Sequence, residues 1–133
     1  MIELMSFVLD NYPPAQGWGV ERLNAWLSWF TSRRLLLCVR QNDTLVGLTL
    51  FRCVNDAGGA KTPYTHTESS PILFVELAIA KTKGTLRKLW SKVLKERFPT
   101  VKRIMWERGA RNRDLVEFPF TSAERLIYGR KQF

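Results

Sequence analysis

Apolar and polar positions along this chain follow three different rhythms, and each predicts an element. Between residues 17 and 34, Val20, Leu23, Trp26, Leu27 and Phe30 recur at intervals of three and four. That spacing gathers them on one side of a helix and predicts a buried stripe. Gly17 and Gly19 lie before it, and Pro13-Pro14 mark a turn further upstream. Two β-prone runs follow, residues 35–40 and 45–54, on either side of Gln41-Asn42-Asp43-Thr44. Asn and Asp tolerate the left-handed backbone that a tight turn demands, so the pair predicts an antiparallel hairpin. Gly47 inside the second run predicts a bulge or a close backbone approach.

Residues 55–71 (NDAGGAKTPYTHTESSP) are polar and rich in Gly, Ser and Thr. They read as a long loop or mobile flap, a length that often carries function. Residues 72–80 are then almost continuously apolar, as in a strand buried on both faces, with Glu76 in the middle. From Thr85 the helical rhythm returns. Leu86, Leu89, Trp90, Val93, Leu94 and Phe98 share one side, Arg87, Lys88, Lys92 and Lys95 the others, and Pro99 ends it. Residues 101–108 form another short strand, and the tail reads as a short strand or a turn of helix. The order predicts one α/β domain over residues 1–133. It has an N-terminal helix, an antiparallel hairpin, and a β-α-β crossover joining parallel strands, hence a mixed sheet.

Composition sharpens the class. The chain has 133 residues, 45% hydrophobic and 25% charged, which suits a single globular core. The first residues include Glu3 and Asp10 and no basic stretch, unlike a secretory signal, and no apolar run reaches the ~18 residues of a membrane span. Cys38 and Cys53 sit in apolar runs and read as two buried thiols of a reducing compartment, so the expected location is cytoplasmic. With His66 the lone histidine, no standard Cys/His zinc set can form, and no metal is expected. His66, in its polar loop, is expected to face solvent.

The net charge of +9 is unevenly spread. Residues 1–70 carry six Lys/Arg and six Asp/Glu, whereas residues 71–133 carry fifteen and six. Such an excess fits an anionic partner, or simply a solvated basic surface. The turn Lys81-Thr82-Lys83-Gly84-Thr85 concentrates it where a strand meets a helix. Unpaired backbone N–H groups and the helix dipole there favour phosphate or pyrophosphate. An ordinary solvated turn is the alternative.

Element order and turn together resemble the Gcn5-related N-acetyltransferase (GNAT) superfamily. Its members hold the coenzyme A pyrophosphate on a Gln/Arg-x-x-Gly-x-Gly/Ala loop after a buried strand. Here Lys81 stands for the Gln or Arg and Gly84 matches, while Leu86 departs from the final Gly/Ala. Residues 74–106 are also similar to the toxin-activating lysine acyltransferases. The shared features are a strand with a central acid (Phe74-Val75-Glu76), a small-residue loop, a Lys-rich helix ending Phe98-Pro99, and a strand bearing Arg103. That branch takes its acyl group from acyl carrier protein. Its N-terminal His has no counterpart, since no His precedes residue 66.

The resemblance implies transfer of an acyl group from acyl-CoA or acyl carrier protein to an amine. It implies a donor site at Ala78, Ile79, Lys81, Lys83, Gly84, Thr85 and Asn112. It gives Glu76 the role of base and Tyr128 that of acid to the leaving thiolate. On chemistry alone, a carboxyl inside an apolar strand is costly unless paired or protonated, and the raised pKa suits a base taking a proton from an amine. The other reading of Glu76 is structural pairing, with Arg103 on the adjacent strand as the candidate. A separate class stays open: a non-enzymatic binding protein using the basic helix 85–98 on nucleic acid or an acidic protein. Arg87, Lys88, Lys92, Lys95 and Arg97 would track phosphates, with Trp90 and Trp106 stacking on bases.

Overall fold

The structure is a computed structural model that describes residues 1–82, 97–108 and 114–119. It opens with helix α1 (Ile2–Asn11), which buries Phe7 and Val8 and which was not among the expected elements. A 3-10 turn over Pro13–Gly17 leads into α2 (Val20–Ser32), where Leu23, Leu27 and Phe30 are buried as the stripe required. Val20 departs from expectation and is 69% exposed. It is the first helical residue, and its side chain leaves before the stripe meets the core.

Five strands form one sheet in the order β1 (Leu36–Gln41), β2 (Thr44–Val54), β3 (Ile72–Ala80), β4 (Arg103–Arg108), β5 (Asp114–Pro119). β3 and β4 are parallel and every other pairing is antiparallel. This is the mixed sheet that the element order predicts. The hairpin turns on Asn42 (φ 53°) and Asp43 (φ 64°), two left-handed residues of the kind the turn sequence supplies. The tail's strand is β5, last in the order of the described strands and ending at Pro119, which has no N–H to give a ladder.

Two slips interrupt the ladders. Val39 faces Gly47 and Arg40 faces Leu45, so Val46 is an extra residue beside the glycine that marked a bulge. Leu50 faces Leu77 and Phe51 faces Val75, so Glu76 has no opposite residue. Leu48, Leu50, Phe51, Cys53, Leu73, Val75 and Leu77 all join the main core under α1 and α2. Ile72 and Phe74 alternate with Leu73 and Val75, and with Val54, Ala60 and Met105 they form a second cluster on the other face. The main-core set on β2 changes phase between Leu50 and Phe51. The unmatched Glu76 lets one strand follow that change while its neighbour alternates regularly.

Two expectations are corrected by this packing. β3 is buried on both faces only as far as Val75, with Leu77 buried beyond it; Ala78 and Ala80 are exposed and Ile79 is half-buried. Of the two thiols only Cys53 is buried, its pKa pushed up to about 12 by burial. Cys38 lies exposed on β1, an edge strand with one open side, and faces Leu48 across the hairpin.

Candidate functional site

The parallel β3–β4 ladder runs from Ile72 opposite Arg103 to Val75 opposite Trp106 and stops. β3 continues five residues further, through Ala80, paired on its other side to β2. The two strands therefore part at Glu76, the first residue past the last parallel pair. Beyond the fork, Ala78, Ile79 and Ala80 continue beside β2 without a β4 partner in the ladder, and the Lys81 N–H returns to Val46 O at 2.8 Å.

Glu76 does not meet Arg103. The parallel register sets Arg103 level with Ile72, four residues before Glu76. The partner is Arg52 of β2, whose Nη2 lies 3.5 Å from Glu76 Oε2. Arg52 stands opposite Phe74, and its Cζ sits 4.8 Å over the Phe74 ring. Its side chain is 2% exposed, that of Glu76 20%. Burial is the largest influence on the Glu76 carboxyl and raises its pKa above the usual carboxylate value; Arg52 works against it and Glu107 with it.

Arg52 is satisfied mainly by backbone. Nη1 donates to the carbonyls of Gly59, Thr62 and Thr65, and Nη2 to that of Ala60, at 2.5–3.1 Å. Those carbonyls belong to the segment that the sequence leaves as a loop or flap. It is instead built round the guanidinium, with a short helix α3 (Ala57–Lys61) capped by Asp56, whose Oδ1 accepts from the Gly59 N–H. A buried charge needs such partners, and four aligned carbonyls supply them. The remaining donor, Nε, and the hydroxyl of Thr49 are buried with no hydrogen-bond partner among the described residues. Thr49 faces Ala78 across the β2–β3 ladder, so it is at the level of the open half of β3.

His66 is likewise not solvent-facing. Its Nδ1 accepts the Cys53 N–H at 2.9 Å, and its Nε2 lies 2.7 Å from Glu68 Oε2. Accepting at Nδ1 places the ring hydrogen on Nε2, which donates to Glu68. The Thr67 N–H bonds Cys53 O, so this segment covers the edge of β2 where β1 has ended. Arg97 Nε donates to Glu68 Oε1 at 3.1 Å and Nη2 to Arg33 O, tying the loop to the end of α2. The hydrogen bond from Arg97, with that from His66, holds Glu68 below the usual carboxylate range.

Among the expected site residues, the structure thus gathers Glu76, Ala78, Ile79 and Lys81 at and beyond the fork. Lys83, Gly84, Thr85, Asn112 and Tyr128 lie outside the described residues, as does the basic helix up to residue 96. Arg52 was missed. Its signal is an arginine centred in one apolar strand beside a glutamate centred in another, two buried charges that need each other.

The helix-first order, the antiparallel hairpin and the parallel pair that parts at a central acid are consistent with a GNAT-like fold. It is similar to the loading GNATL domain of CurA from Lyngbya majuscula, at 16% identity and a TM-score of 0.47 over 62% of this chain and 48% of that one. It is also similar to the GphF GNAT-like decarboxylase solved in complex with isobutyryl-CoA, at 17% identity and a TM-score of 0.43 over 57% and 45%. The chain spans about half the length of these solved chains. No protein-family model matches it, and no curated protein does. No helix among the described residues is long and apolar enough to cross a membrane.

Proposed function

We propose that the chain is an acyltransferase-like protein that passes an acyl group from a thioester donor, acyl-CoA or acyl carrier protein, to an amine. The observation that carries this reading is the position of Glu76, a half-buried carboxyl with a raised pKa at the point where β3 and β4 part. The open half of β3 suits the extended arm of a thioester, with small Ala78 leaving room for it beside the strand. In this reading Glu76 takes a proton from the acceptor amine as its nitrogen attacks the thioester carbonyl. The C–N bond forms, the C–S bond breaks, and the thiolate is protonated, with Tyr128 as the proposed donor. Lys81, Lys83, Gly84 and Thr85 would hold the donor's phosphates and Asn112 its arm. Arg52 keeps the base ionisable by opposing the effect of burial.

Melting in the presence of acetyl-CoA, a long-chain acyl-CoA and acyl carrier protein tests the proposal. A ligand that binds only the native state raises stability by about 2.7 kcal/mol at a hundred times its dissociation constant. One of the three donors is expected to raise the melting temperature, and with it Glu76→Gln should lower turnover by ~10²–10⁴-fold. Three donors without effect would overturn the proposal.

A further inference from the structure

The Glu76 face of the sheet holds a polar group that the proposed chemistry leaves unused. Thr49, in the middle of β2, is 1% exposed, and its hydroxyl has no hydrogen-bond partner among the described residues. Water cannot serve a group so enclosed, and a hydroxyl buried without a bond is costly. Leu48 and Leu50, its neighbours in the chain, belong to the main core, so Thr49 lies on the opposite face of the sheet, with Arg52, Phe74 and Glu76.

Strand register supplies its neighbours. Thr49 stands opposite Leu37 of β1 and Ala78 of β3, and the next positions on its face of those strands are Val39, Glu76 and Ala80. Among these five, Glu76 alone has a polar side chain. It is the diagonal neighbour of Thr49, and positions so related lie roughly 7–8 Å apart, within reach of a long side chain. Along β2, Arg52 shares the face with Thr49, but a guanidinium only donates, so it offers the hydroxyl proton no acceptor. The carboxylate of Glu76 has two oxygens. Oε2 is the one beside Arg52, at 3.5 Å, longer than an ordinary N–H···O bond.

We propose that Thr49 is a positioning residue for the Glu76 base: a turn of either side chain lets its hydroxyl donate to one carboxylate oxygen while Arg52 holds the other. The role of Glu76 as base rests on the acyl-transfer reading; the pairing does not. Two donors from one strand, Arg52 opposite Phe74 and Thr49 opposite Ala78, then flank the carboxylate and fix its plane. An incoming amine meets it in one orientation. A second cation at position 49 would weaken the base further. A neutral hydroxyl orients the carboxylate and leaves it able to take a proton.

Carboxyl signals of isotope-labelled glutamates, followed by NMR against pH in the full chain, test the pairing without any acyl donor. The Glu76 signal is the one missing from Glu76→Gln. A bond to the carboxylate favours the ionised form. Thr49→Val keeps the branched shape and removes the hydroxyl, so Glu76 should bind its proton ~3–10-fold more tightly in that variant. Thr49→Ser should restore the wild-type titration, which a loss of packing alone would not do. Should Thr49→Val melt early, Thr49→Ala takes its place with the same expectation. The charged groups that bear on Glu76 among the described residues, Arg52 of β2 and Glu107 of β4, are unchanged in these variants. The proposal is overturned if Glu76 titrates alike with and without the hydroxyl, or if the Ser variant titrates with the Val one. With a donor that turns over, the acid limb of the pH–rate profile should move to higher pH by the same factor in Thr49→Val and return in Thr49→Ser; a limb that stays in place would overturn the positioning role. If the titration moves while every donor fails, the acyl-transfer reading falls and the pairing stands.

Discussion

Of the three arginine–glutamate pairs that connect distant parts of the chain among the described residues, two do opposite work. Arg40 on β1 meets Glu3 on α1 through two hydrogen bonds with the side chains about half exposed, 46% and 51%. Arg52 meets Glu76 at a longer 3.5 Å in the interior. By contact geometry the surface pair is better made. Yet water and salt screen it, and an exposed pair of this kind contributes little. The interior pair has the poorer contact and the larger consequences, because its arginine organises a whole segment and its glutamate stands at the fork. Burial, more than contact distance, decides which pair matters.

The sharpest way to break the contrast is Arg52→Met. It strands the carbonyls of Gly59, Ala60, Thr62 and Thr65 and removes the charge facing Glu76. A loss of roughly 3–5 kcal/mol is expected in denaturant titration, the usual result of removing one member of a buried ionic network. A loss below about 1 kcal/mol would show that the segment does not depend on the guanidinium.

Next in size is His66→Ala, which leaves the buried Cys53 N–H without an acceptor. It should cost ~1–3 kcal/mol, with His66→Asn recovering part of it by offering an oxygen near the same place. Hydrogen exchange at the Cys53 amide reads the effect locally: exchange should quicken in the Ala variant and slow again in the Asn variant.

Glu76→Gln is expected to change stability little, and in the favourable direction. The folded carboxyl has a raised pKa, so its contribution is fully present below the unfolded pKa and is lost as pH rises through the folded one. Once ionised, the wild-type carboxyl carries a charge that burial disfavours and that the variant lacks. Arg52 retains its four carbonyls in either case. The variant should melt at or slightly above the wild type at neutral pH, and the two should converge in acid. A variant that melts well below the wild type at pH 7 would make Glu76 the structural half of a pair.

The smallest effect is expected from Arg40→Gln. Melting should not change measurably at physiological salt, and a clear drop would mean that α1 is held on the sheet by its charge more than by Phe7 and Val8.

The parts of the fold that could be read from sequence are those with a local cause. Asn42-Asp43 announced the hairpin, Gly47 the bulge beside it, and the apolar run at residues 72–80 the central strand. Helix α1 was legible too, since Glu3, Ser6 and Asp10 recur at steps of three and four among Ile2, Leu4, Met5, Phe7, Val8 and Leu9, and that period was overlooked. The segment 55–71 looked unstructured because its order comes from Arg52, a residue outside it. At the site, Glu76 stood out as a charge among apolar neighbours. The choice of Arg52 over Arg103 depends on strand register, which residue spacing does not reveal. The same phase change was nonetheless present in β2, where Leu48 and Leu50 are followed by Phe51 and Cys53.

That phase change has an evolutionary consequence for position 76. A residue with no opposite number in the ladder has no directly facing neighbour to match, and the contact at stake in exchanging it is the 3.5 Å approach to Arg52. Removing the residue is another matter. Without it β2 and β3 would come back into regular step, and the alternation would carry either Leu48 and Leu50 or Phe51 and Cys53 out of the main core. Position 76 should therefore keep the fold with an uncharged side chain such as Gln and lose it with a one-codon deletion. The chemistry at the fork could then drift across a lineage while the sheet beneath it stayed the same.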